Sequence, residues 1–350
     1  MDKINLLGYT SEQLQELAVE LGGKPYTGKQ LFKWIYKRRE SDFENMTDVA
    51  KKIRAQLADN YTVSKMTPAE KAESSDGTIK YLFKLEDGKL IETVLIPEKD
   101  LRRITVCISS QVGCALACRF CATGTMGLLR DLNVGEIVGQ LIYLRDEFGE
   151  DAFSNVVMMG MGEPLNNYNN VLEALKIMQH KDALNLGYSK VTLSTSGVTP
   201  KIKKLADSGI KVSLAISLHA AIEQKRKQIM PIAETFSLEK LKTAIKYYID
   251  KTNSPVMFEY ILFNNFNDKP EDIKALGKLA HGLKAKINLL AYNPVEGLPF
   301  ERPDDEKVAW FGKSIQNYFT IVTIRQSRGR DIDAACGQLA ARHKNKESVK

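Results

Sequence analysis

The chain is organised around Cys114-Ala115-Leu116-Ala117-Cys118-Arg119-Phe120-Cys121, a CxxxCxxC run that contains three thiols. Three thiolates can hold three irons of a 4Fe–4S cluster and leave the fourth iron open to another ligand. A structural zinc site usually has four protein ligands, and no histidine follows Cys121 at ligand spacing. The run therefore favours an iron–sulfur cluster over zinc, with three thiols that bind no metal as the remaining alternative.

Length and composition restrict the class of protein. With 350 residues, the chain is expected to form a main domain and a smaller accessory domain. It has no apolar run of about 18 residues and no basic segment leading into an apolar one at the N-terminus, so we expect a cytosolic protein without a membrane partner. Five cysteines, an odd number, argue against a framework of structural disulfides.

Basic residues are concentrated in two parts of the chain, which carries a net charge of +7. Residues 24–54 contain nine lysines and arginines, interleaved with Tyr26, Phe32, Trp34 and Tyr36. The second group comprises Arg325, Arg328, Arg330, Arg342, Lys344 and Lys346. Basic and aromatic side chains together can bind phosphates and stack on bases, so these segments indicate either an RNA partner or ordinary solvated helix faces.

The first 60 residues are predicted to form a small helical domain. Thr10-x-x-Gln13 and Thr27-x-x-Gln30 both match the capping-box pattern that begins a helix, and each precedes an apolar helical pattern. A third helix is expected from Thr47 to about Ala58. Because this domain has no constellation of catalytic residues, we expect it to serve as an RNA-docking domain.

Residues 61–103 are predicted to form a linking β-hairpin. Thr78–Leu85 and Leu90–Pro97 have strand-like composition, and Glu86-Asp87-Gly88 between them is typical of a turn. Alternation along the second strand places Glu92 on the same face as apolar residues. Glu92 is then either an edge residue that reaches water or a desolvated carboxylate suited to act as a base.

Residues 104–350 alternate between strand and helix patterns, which predicts an α/β domain with a parallel sheet. The predicted strands are Ile104–Ser110, Asn155–Met159, Lys190–Ser194, Val212–Ser217, Val256–Leu262 and Ile287–Ala291. The predicted helices are Val134–Glu147, Asn169–Met178, Thr199–Ala206, Leu238–Thr252 and Pro270–Leu283. A later helix at about Pro303–Tyr318 and a strand at Thr320–Arg325 extend this pattern.

Polar and glycine residues follow several of these strands where they end. In parallel α/β folds, ligands bind at the carboxyl ends of the strands, and both barrels and open sheets share this rule. The residues that fall at this edge and could contact a ligand are Gly162, Glu163, Ser194, Ser217, Leu218, His219 and Asn293.

The three-thiol run and the loop after it resemble the radical S-adenosylmethionine (SAM) superfamily. In that superfamily, the amino and carboxylate groups of SAM bind the open iron. With this resemblance, Gly162 and Glu163 are predicted to bind the amino group of SAM, the alternative being an ordinary glycine turn with a solvated glutamate. Ser194, Ser217, His219 and Asn293 are predicted to meet its ribose, carboxylate or adenine, although a lone Ser or Asn at a strand end is more often a turn or cap residue.

Two cysteines, Cys107 and Cys336, lie outside the cluster motif. A buried strand cysteine is most often a small apolar residue. Together with five longer motifs, however, the pair resembles the RlmN family of adenine-C2 methyltransferases. The motifs are Ser109-Ser110-Gln111-Val112-Gly113-Cys114, Met158-Met159-Gly160-Met161-Gly162-Glu163-Pro164-Leu165, Leu193-Ser194-Thr195-Ser196-Gly197, Ala215-Ile216-Ser217-Leu218-His219-Ala220 and Asp331-Ile332-Asp333-Ala334-Ala335-Cys336-Gly337-Gln338-Leu339.

The resemblance implies a radical methyl transfer. One SAM methylates Cys336, and a second SAM, bound to the cluster through Cys114, Cys118 and Cys121, yields a radical that takes hydrogen from the S-methyl group. The carbon radical adds to C2 of the adenine. Glu92 then removes a proton, and Cys107 releases the product with a transient Cys107–Cys336 disulfide.

The resemblance also implies the fold and the partners. The fold would be a partial (β/α)6 barrel, similar to a TIM barrel, with a helical N-terminal accessory domain. The substrates would be 23S ribosomal RNA and the adenosine next to the anticodon in transfer RNA. An electron donor such as flavodoxin or ferredoxin would be required, and we expect a monomer.

Three alternative functions remain open at the level of sequence. One is a sister enzyme that methylates C8 of the same ribosomal adenosine with the same cysteines. Another is a radical SAM enzyme with a different substrate, which would not need the Cys107 and Cys336 pair. The third is a non-catalytic iron–sulfur protein that binds RNA.

Overall fold

The computed structural model describes residues 3–98 and 103–341. Arg342, Lys344 and Lys346 of the second basic group lie outside these residues. The chain begins with strand β1 (Ile4–Asn5), helices α1 (Ser11–Glu20), α2 (Pro25–Tyr36) and α3 (Lys51–Asn60), and strand β2 (Tyr61–Thr62). Strands β1 and β2 pair in parallel and bring the two ends of this helical part together.

Of the two predicted capping boxes, one is confirmed and the other is wrong, and the third predicted helix begins at Lys51 instead of Thr47. Thr10 caps α1 with a capping box, in which its side chain accepts from the N–H of Gln13 and the Gln13 side chain accepts from the N–H of Thr10. Helix α2 instead begins at Pro25, and Thr27 is buried within its first turn. Proline suits the first helical position because its φ angle is already helical and no N–H is needed there.

The predicted hairpin is present and forms part of a larger sheet. Strands β3 (Pro68–Glu73), β4 (Ile79–Lys84), β5 (Leu90–Pro97) and β6 (Ile104–Cys107) pair antiparallel in sequence order. Strand β3 has no counterpart in the sequence prediction. Strand β5 lies between β4 and β6, so Glu92 does not lie on an edge strand.

After β6 the chain follows the predicted alternation of strands and helices. The elements are β7 (Gln111–Gly113), α4 (Ala122–Thr125), β8 (Leu128–Asp131), α5 (Val134–Phe148), β9 (Asn155–Met158), α6 (Tyr168–Gln179), β10 (Val191–Thr195), α7 (Thr199–Asp207), β11 (Ser213–Ser217), α8 (Glu223–Ile229), α9 (Ile232–Thr235), α10 (Leu238–Thr252), β12 (Val256–Leu262), α11 (Pro270–Ala280), β13 (Ala285–Ala291), α12 (Asp305–Ser314) and β14 (Val322–Arg325).

One ten-stranded sheet organises the molecule. Its strand order is β14-β13-β12-β11-β10-β9-β6-β5-β4-β3, in which the pairs from β14 to β6 are parallel and those from β6 to β3 antiparallel. The six predicted β/α units are present, and β14 adds a seventh parallel strand. The hydrophobic core is continuous from the N-terminal helices to α12. Within the described ranges, no helix is long and apolar enough to cross a membrane.

A short hairpin outside this sheet frames the three-thiol run. Strands β7 and β8 pair antiparallel, and the loop between them carries Cys114, Cys118, Cys121 and helix α4. Gly113 has φ +78°, and a Cβ atom at this position would lie 1.9 Å from the carbonyl oxygen of Gly127. Glycine is therefore required where the two strands meet.

Candidate active site

A cavity of about 530 Å³ opens at the carboxyl ends of the parallel strands. It collects most of the residues that the sequence singled out. The predicted site residues that line it are Cys107, Cys114, Cys118, Cys121, Gly162, Glu163, Ser194, Ser217, His219, Asn293 and Cys336. Of the residues that the sheet-edge rule singled out, all except Leu218 line this cavity.

The three thiols of the CxxxCxxC run face the cavity from one loop. Burial and the neighbouring Glu163 and Cys121 raise the pKa of Cys114 to about 12. Burial likewise raises the pKa of Cys118 well above its usual value, and the charges of Cys121 and Cys114 add to the effect. Three such thiols resist ionisation unless a positively charged group lies between them, which is the condition that an iron–sulfur cluster meets.

The donor set of the loop distinguishes a cluster from the zinc alternative. Three thiols of this loop line the cavity, whereas a structural zinc site usually has four protein ligands. The loop is tightly defined, because the N–H of Cys121 donates to the carbonyl of Cys118 at 3.2 Å. A Cβ at Gly124 would lie 2.7 Å from that same carbonyl oxygen. The donor set thus fits a cluster held by three thiolates better than a four-ligand zinc site.

Glu163 lies in the loop after β9, and backbone N–H groups donate hydrogen bonds to both of its carboxylate oxygens. Oε1 accepts from the N–H of Leu165 at 3.1 Å, and Oε2 accepts from the N–H of Ser196 at 2.8 Å. Burial still raises the pKa of Glu163. Gly162 has φ +102°, and a Cβ there would lie 2.6 Å from the side chain of Gln111. A cationic ligand group in the cavity would stabilise this buried carboxylate.

Ser194, Ser217 and His219 form a polar rim beside the thiols. The hydroxyl oxygens of Ser194 and Ser217 lie 3.3 Å apart. His219 Nδ1 accepts from the N–H of Ile261 at 3.1 Å, and burial lowers the pKa of His219 to about 3. The imidazole is therefore neutral at physiological pH and carries its proton on Nε2. The side chain of Leu218 packs in the hydrophobic core and does not line the cavity, although its neighbours on both sides do.

Asn293 connects the rim with the C-terminal segment. Its Nδ2 donates to the carbonyl of Cys336 at 3.3 Å. Its Oδ1 is buried and has no hydrogen-bond partner among the described residues. A buried acceptor without a donor is costly, so this oxygen is suited to a hydroxyl or amino group of a ligand.

Cys107 and Cys336 face the same cavity from opposite parts of the chain. All five cysteines are free thiols. Cys107 ends strand β6 and is buried, whereas the side chain of Cys336 is exposed because it faces the open space of the cavity. The surrounding walls nevertheless raise the pKa of Cys336 to about 12, and the nearby Cys107 contributes to that increase.

Comparisons with known proteins identify the relatives of this chain. Residues 4–63 match the model of the ribosomal RNA large subunit methyltransferase N-terminal domain, and residues 108–277 match that of the radical SAM superfamily. A probable dual-specificity RNA methyltransferase RlmN from Cytophaga hutchinsonii is 43% identical over 334 residues, covering 95% of this chain and 91% of the relative. The corresponding protein from Christiangramia forsetii is 42% identical over 341 residues, which are 97% of this chain and 96% of the relative.

The chain belongs to the RlmN family. A solved structure of a radical SAM methyltransferase from Sphaerobacter thermophilus superposes with a TM-score of 0.90 at 38% identity, covering 97% of this chain and all of that one. The predicted radical SAM fold is therefore confirmed, as is the prediction of an RNA methyltransferase. Enzymes of the RlmN type use a 4Fe–4S cluster and SAM, and the three thiols and the polar rim fit these two groups.

Glu92 of this RlmN-family chain lies outside the cavity lining. Its side chain is only 2% exposed, so the alternative of an edge residue that reaches water is wrong. Oε1 pairs with Lys80 Nζ at 2.9 Å, and Oε2 accepts from the N–H groups of Ala340 and Ala341 at 2.8 and 3.2 Å. The C-terminal segment thus covers Glu92 on its way past the cavity.

Sequence reasoning missed Glu259, which lies inside the sheet of this RlmN-family chain and lines the cavity. Its Oε1 accepts from Asn288 Nδ2 at 2.8 Å, and the positive charge of Arg325 is close enough to favour its ionised form. Burial dominates and raises the pKa of Glu259 to about 7. The available signal was a single charge within the otherwise apolar strand Val256–Leu262.

Proposed function

We propose that this RlmN-family enzyme methylates C2 of an adenosine in 23S ribosomal RNA and of the adenosine next to the anticodon in transfer RNA. The observation that carries the proposal is the convergence of two further thiols, Cys107 and Cys336, on the cavity that the three cluster cysteines line. A radical SAM enzyme that only binds and cleaves SAM has no need for this pair. The names of the curated relatives, dual-specificity RNA methyltransferases, support both substrate classes.

The proposed roles follow the positions of the side chains. The cluster and SAM, when bound, supply the methyl group and the one-electron chemistry that an electron-poor adenine carbon requires. Glu163 and Asn293 provide carboxylate and amide oxygens for the amino and hydroxyl groups of SAM. Cys336 carries the methyl group to the base. Cys107 then attacks Cys336, which releases the product and leaves a transient disulfide between the two sulfurs.

Glu92 is proposed to accept the proton that leaves C2. Its face of β5 also includes Val94, whose partner in the neighbouring strand is Cys107, so the carboxylate and the thiol lie on the same side of the sheet. In this structure, N–H groups of the C-terminal segment donate hydrogen bonds to Oε2 of Glu92. This segment must therefore move away before that oxygen can accept a proton from C2 of the adenine.

RNA binding is proposed to involve the N-terminal helices, as an accessory unit of residues 1–60 followed by the hairpin of residues 61–103. Lys29 and Lys33 on α2 and Lys37 at its C-cap are exposed and follow one another at i and i+4 spacing, so they share one face. Arg38 lies over the ring of Trp34, with its guanidinium carbon 3.8 Å from the ring centre. Such a surface suits the phosphates of a folded RNA.

The cellular setting is also part of the proposal. A small electron-transfer protein such as flavodoxin or ferredoxin supplies the electrons, and the enzyme acts as a monomer in the cytosol. The five free thiols suit a reducing compartment. Size-exclusion chromatography of the anaerobic protein tests the monomer.

Analysis of methylated nucleosides tests the reaction itself. The anaerobic enzyme is incubated with SAM, a reductant and either 23S ribosomal RNA or transfer RNA, and the digested RNA is examined by mass spectrometry. We expect 2-methyladenosine from both. The appearance of 8-methyladenosine would assign the chain to the C8 reaction, and RNA without a new methyl group would contradict the proposal.

The variant Cys107→Ala tests the thiol pair. If Cys107 resolves the adduct, the variant should accumulate RNA covalently attached to Cys336, visible as a protein band of reduced mobility that nuclease treatment removes. Cys336→Ala is the matched control, because it retains Cys107 but cannot form the adduct. Normal turnover by Cys107→Ala would remove Cys107 from the mechanism.

A further inference from the structure

The C-terminal segment, residues 328–341, carries Cys336 across the open side of the sheet and is fastened at both ends. Near its start, Asp331 accepts from the hydroxyl of Ser74 at 2.6 Å and from the N–H of Ser75 at 3.1 Å. The N–H of Gly329 donates to Asp76 Oδ2 at 2.9 Å. These contacts attach the segment to the turn between β3 and β4, which belongs to the antiparallel part of the sheet.

The far end of the segment is held through a buried ion pair. Lys80 Nζ forms an ion pair with Glu92 Oε1 at 2.9 Å. It also donates a hydrogen bond to the carbonyl oxygen of Asp333 at 3.2 Å. The other oxygen of Glu92 accepts from the N–H groups of Ala340 and Ala341. Side-chain exposure is 12% for Lys80 and 2% for Glu92. The Lys80 ammonium group therefore holds the segment on both sides of Cys336. Before Cys336 it binds the carbonyl of Asp333, and after Cys336 it acts through Glu92, which binds the amides of Ala340 and Ala341.

Lys80 is on the correct face of the sheet for this role. It pairs in register with Val94, so it lies diagonally opposite Glu92 on the same face of β4 and β5. A buried carboxylate without a countercharge is strongly disfavoured, because its desolvation is no longer compensated. Loss of the ammonium group would leave the buried Glu92 carboxylate without its countercharge, and the local structure that holds its hydrogen bonds to Ala340 and Ala341 would be destabilised.

We propose that Lys80 is a positioning residue that, through Glu92 and the carbonyl of Asp333, holds the C-terminal segment so that Cys336 faces the cavity. The functional part of this inference, placement of Cys336 for methylation, rests on the proposed function. The structural part, attachment of the segment by Lys80, does not depend on it. Lys80 itself does not line the cavity and acts only through the groups that it binds.

Hydrogen exchange of the complete protein tests the attachment. In Lys80→Met, the amides of Ala340 and Ala341 should exchange about tenfold faster or more, because a hydrogen bond to a charged acceptor contributes about 1.5–3 kcal/mol. Lys80→Arg retains the charge and should restore most of the protection. Lys84→Met is the matched control, because it removes an exposed lysine from the same face of β4. In this variant the amides of Ala340 and Ala341 should exchange at the rate of the unmodified chain.

A double-mutant cycle distinguishes action through Glu92 from general destabilisation. Glu92→Gln alone should also accelerate exchange at Ala340 and Ala341. If Lys80 acts through Glu92, the double variant Lys80→Met/Glu92→Gln should exchange no faster than the faster single variant. The inference would be overturned if the accelerations of the two single variants multiplied in the double variant. It would also be overturned if Ala340 and Ala341 were as well protected in Lys80→Met as in the unmodified chain. The Gly329 amide, bonded to Asp76, provides an internal reference for local effects.

Methylation of Cys336 is measured on the same variants with SAM and without RNA, by peptide mass spectrometry. We expect the rate to fall about tenfold in Lys80→Met, in parallel with the loss of amide protection. An unchanged methylation rate despite faster exchange would show that docking does not position Cys336. Absence of methylation in the unmodified chain would contradict the proposed function, while the exchange results would still decide the role of Lys80.

Discussion

Glu259 is a buried acid whose protonation should control stability as pH changes. Its pKa is about 7 in the folded protein, against an ordinary value of 4.5. Between these values the unfolded chain has released its proton whereas the folded chain retains it, so stability falls as pH rises from about 4.5 to 7. Above pH 7 the free energy of unfolding is lower by about 3 kcal/mol than below pH 4.5, as far as Glu259 contributes to it. Glu259→Gln should remove this decline, as measured by urea unfolding of the anaerobic protein at several pH values.

The control for this measurement is Glu16→Gln, which changes an exposed carboxylate on α1. We expect its pH profile to match that of the unmodified chain. A Glu259→Gln variant that retains the full decline between pH 4.5 and 7 would show that Glu259 is not the group responsible. The amide of glutamine can still accept the hydrogen bond from Asn288, so packing of the strand should be preserved.

Residues that depend on local sequence were predictable, whereas residues that depend on distant partners were not. The three thiols of the CxxxCxxC run are singled out by spacing alone, and the strand-end residues by the alternation of strand and helix, and the structure brings both groups to one cavity. The sequence admits two interpretations of Glu92 because its partners, Lys80 and the amides of Ala340 and Ala341, come from other parts of the chain. Glu259 was missed for a similar reason, since only its position facing the cavity distinguishes it from a chance charge in a strand.

At the scale of elements, helices α1 and α2 touch through their backbones at Gly28. A Cβ atom at this position would lie 2.3 Å from the backbone nitrogen of Gln15. Gly28→Ala should therefore force the two helices apart, at a cost of about 1–3 kcal/mol that outweighs the gain of about 1 kcal/mol in helix propensity. Thermal and urea unfolding of the complete protein measure the loss of stability.

Gly187→Ala is the matched control, because a Cβ at this exposed glycine meets no atom within 4 Å and its φ angle is not positive. We expect its stability to equal that of the unmodified chain. If Gly28→Ala were equally neutral, the close contact between α1 and α2 would not constrain the N-terminal helices.

The bounds of helices and strands were predicted correctly where the sequence pattern is local. The prediction failed where pairing with a neighbouring strand determines the structure. Leu238–Thr252 and Val256–Leu262 have the predicted bounds because their apolar periodicity and capping signals lie within the segments. Strand β3, Pro68–Glu73, carries charges and a proline, and only pairing with β4 makes it a strand. Helix α2 begins earlier than the Thr27 motif indicated because Pro25 already sets the helical φ angle.

At the scale of the whole molecule, the N-terminal helices are part of the main core. A Cβ at Gly135, in the first turn of α5, would lie 2.2 Å from the carbonyl oxygen of Leu7. The hydroxyl of Tyr36 accepts from the N–H of Gly8 and donates to the carbonyl of Tyr9, both at 2.8 Å. Deleting residues 1–60 would consequently uncover the core of the barrel. A test of RNA docking must therefore change surface charges and leave the backbone intact.

Lys29 and Lys33 on α2, together with Lys37 directly after it, provide such a test, since all three are exposed. If each contacts one phosphate, the triple Lys→Gln variant should weaken RNA binding and lower the slope of log affinity against log salt concentration by about 2. The matched control is a second triple Lys→Gln variant at Lys246, Lys274 and Lys278, on α10 and α11. It removes the same number of positive charges from helices that surround the sheet. Filter binding at several salt concentrations compares the two variants. An equal loss of affinity in both would mean that net charge, and not the α2 face, attracts the RNA.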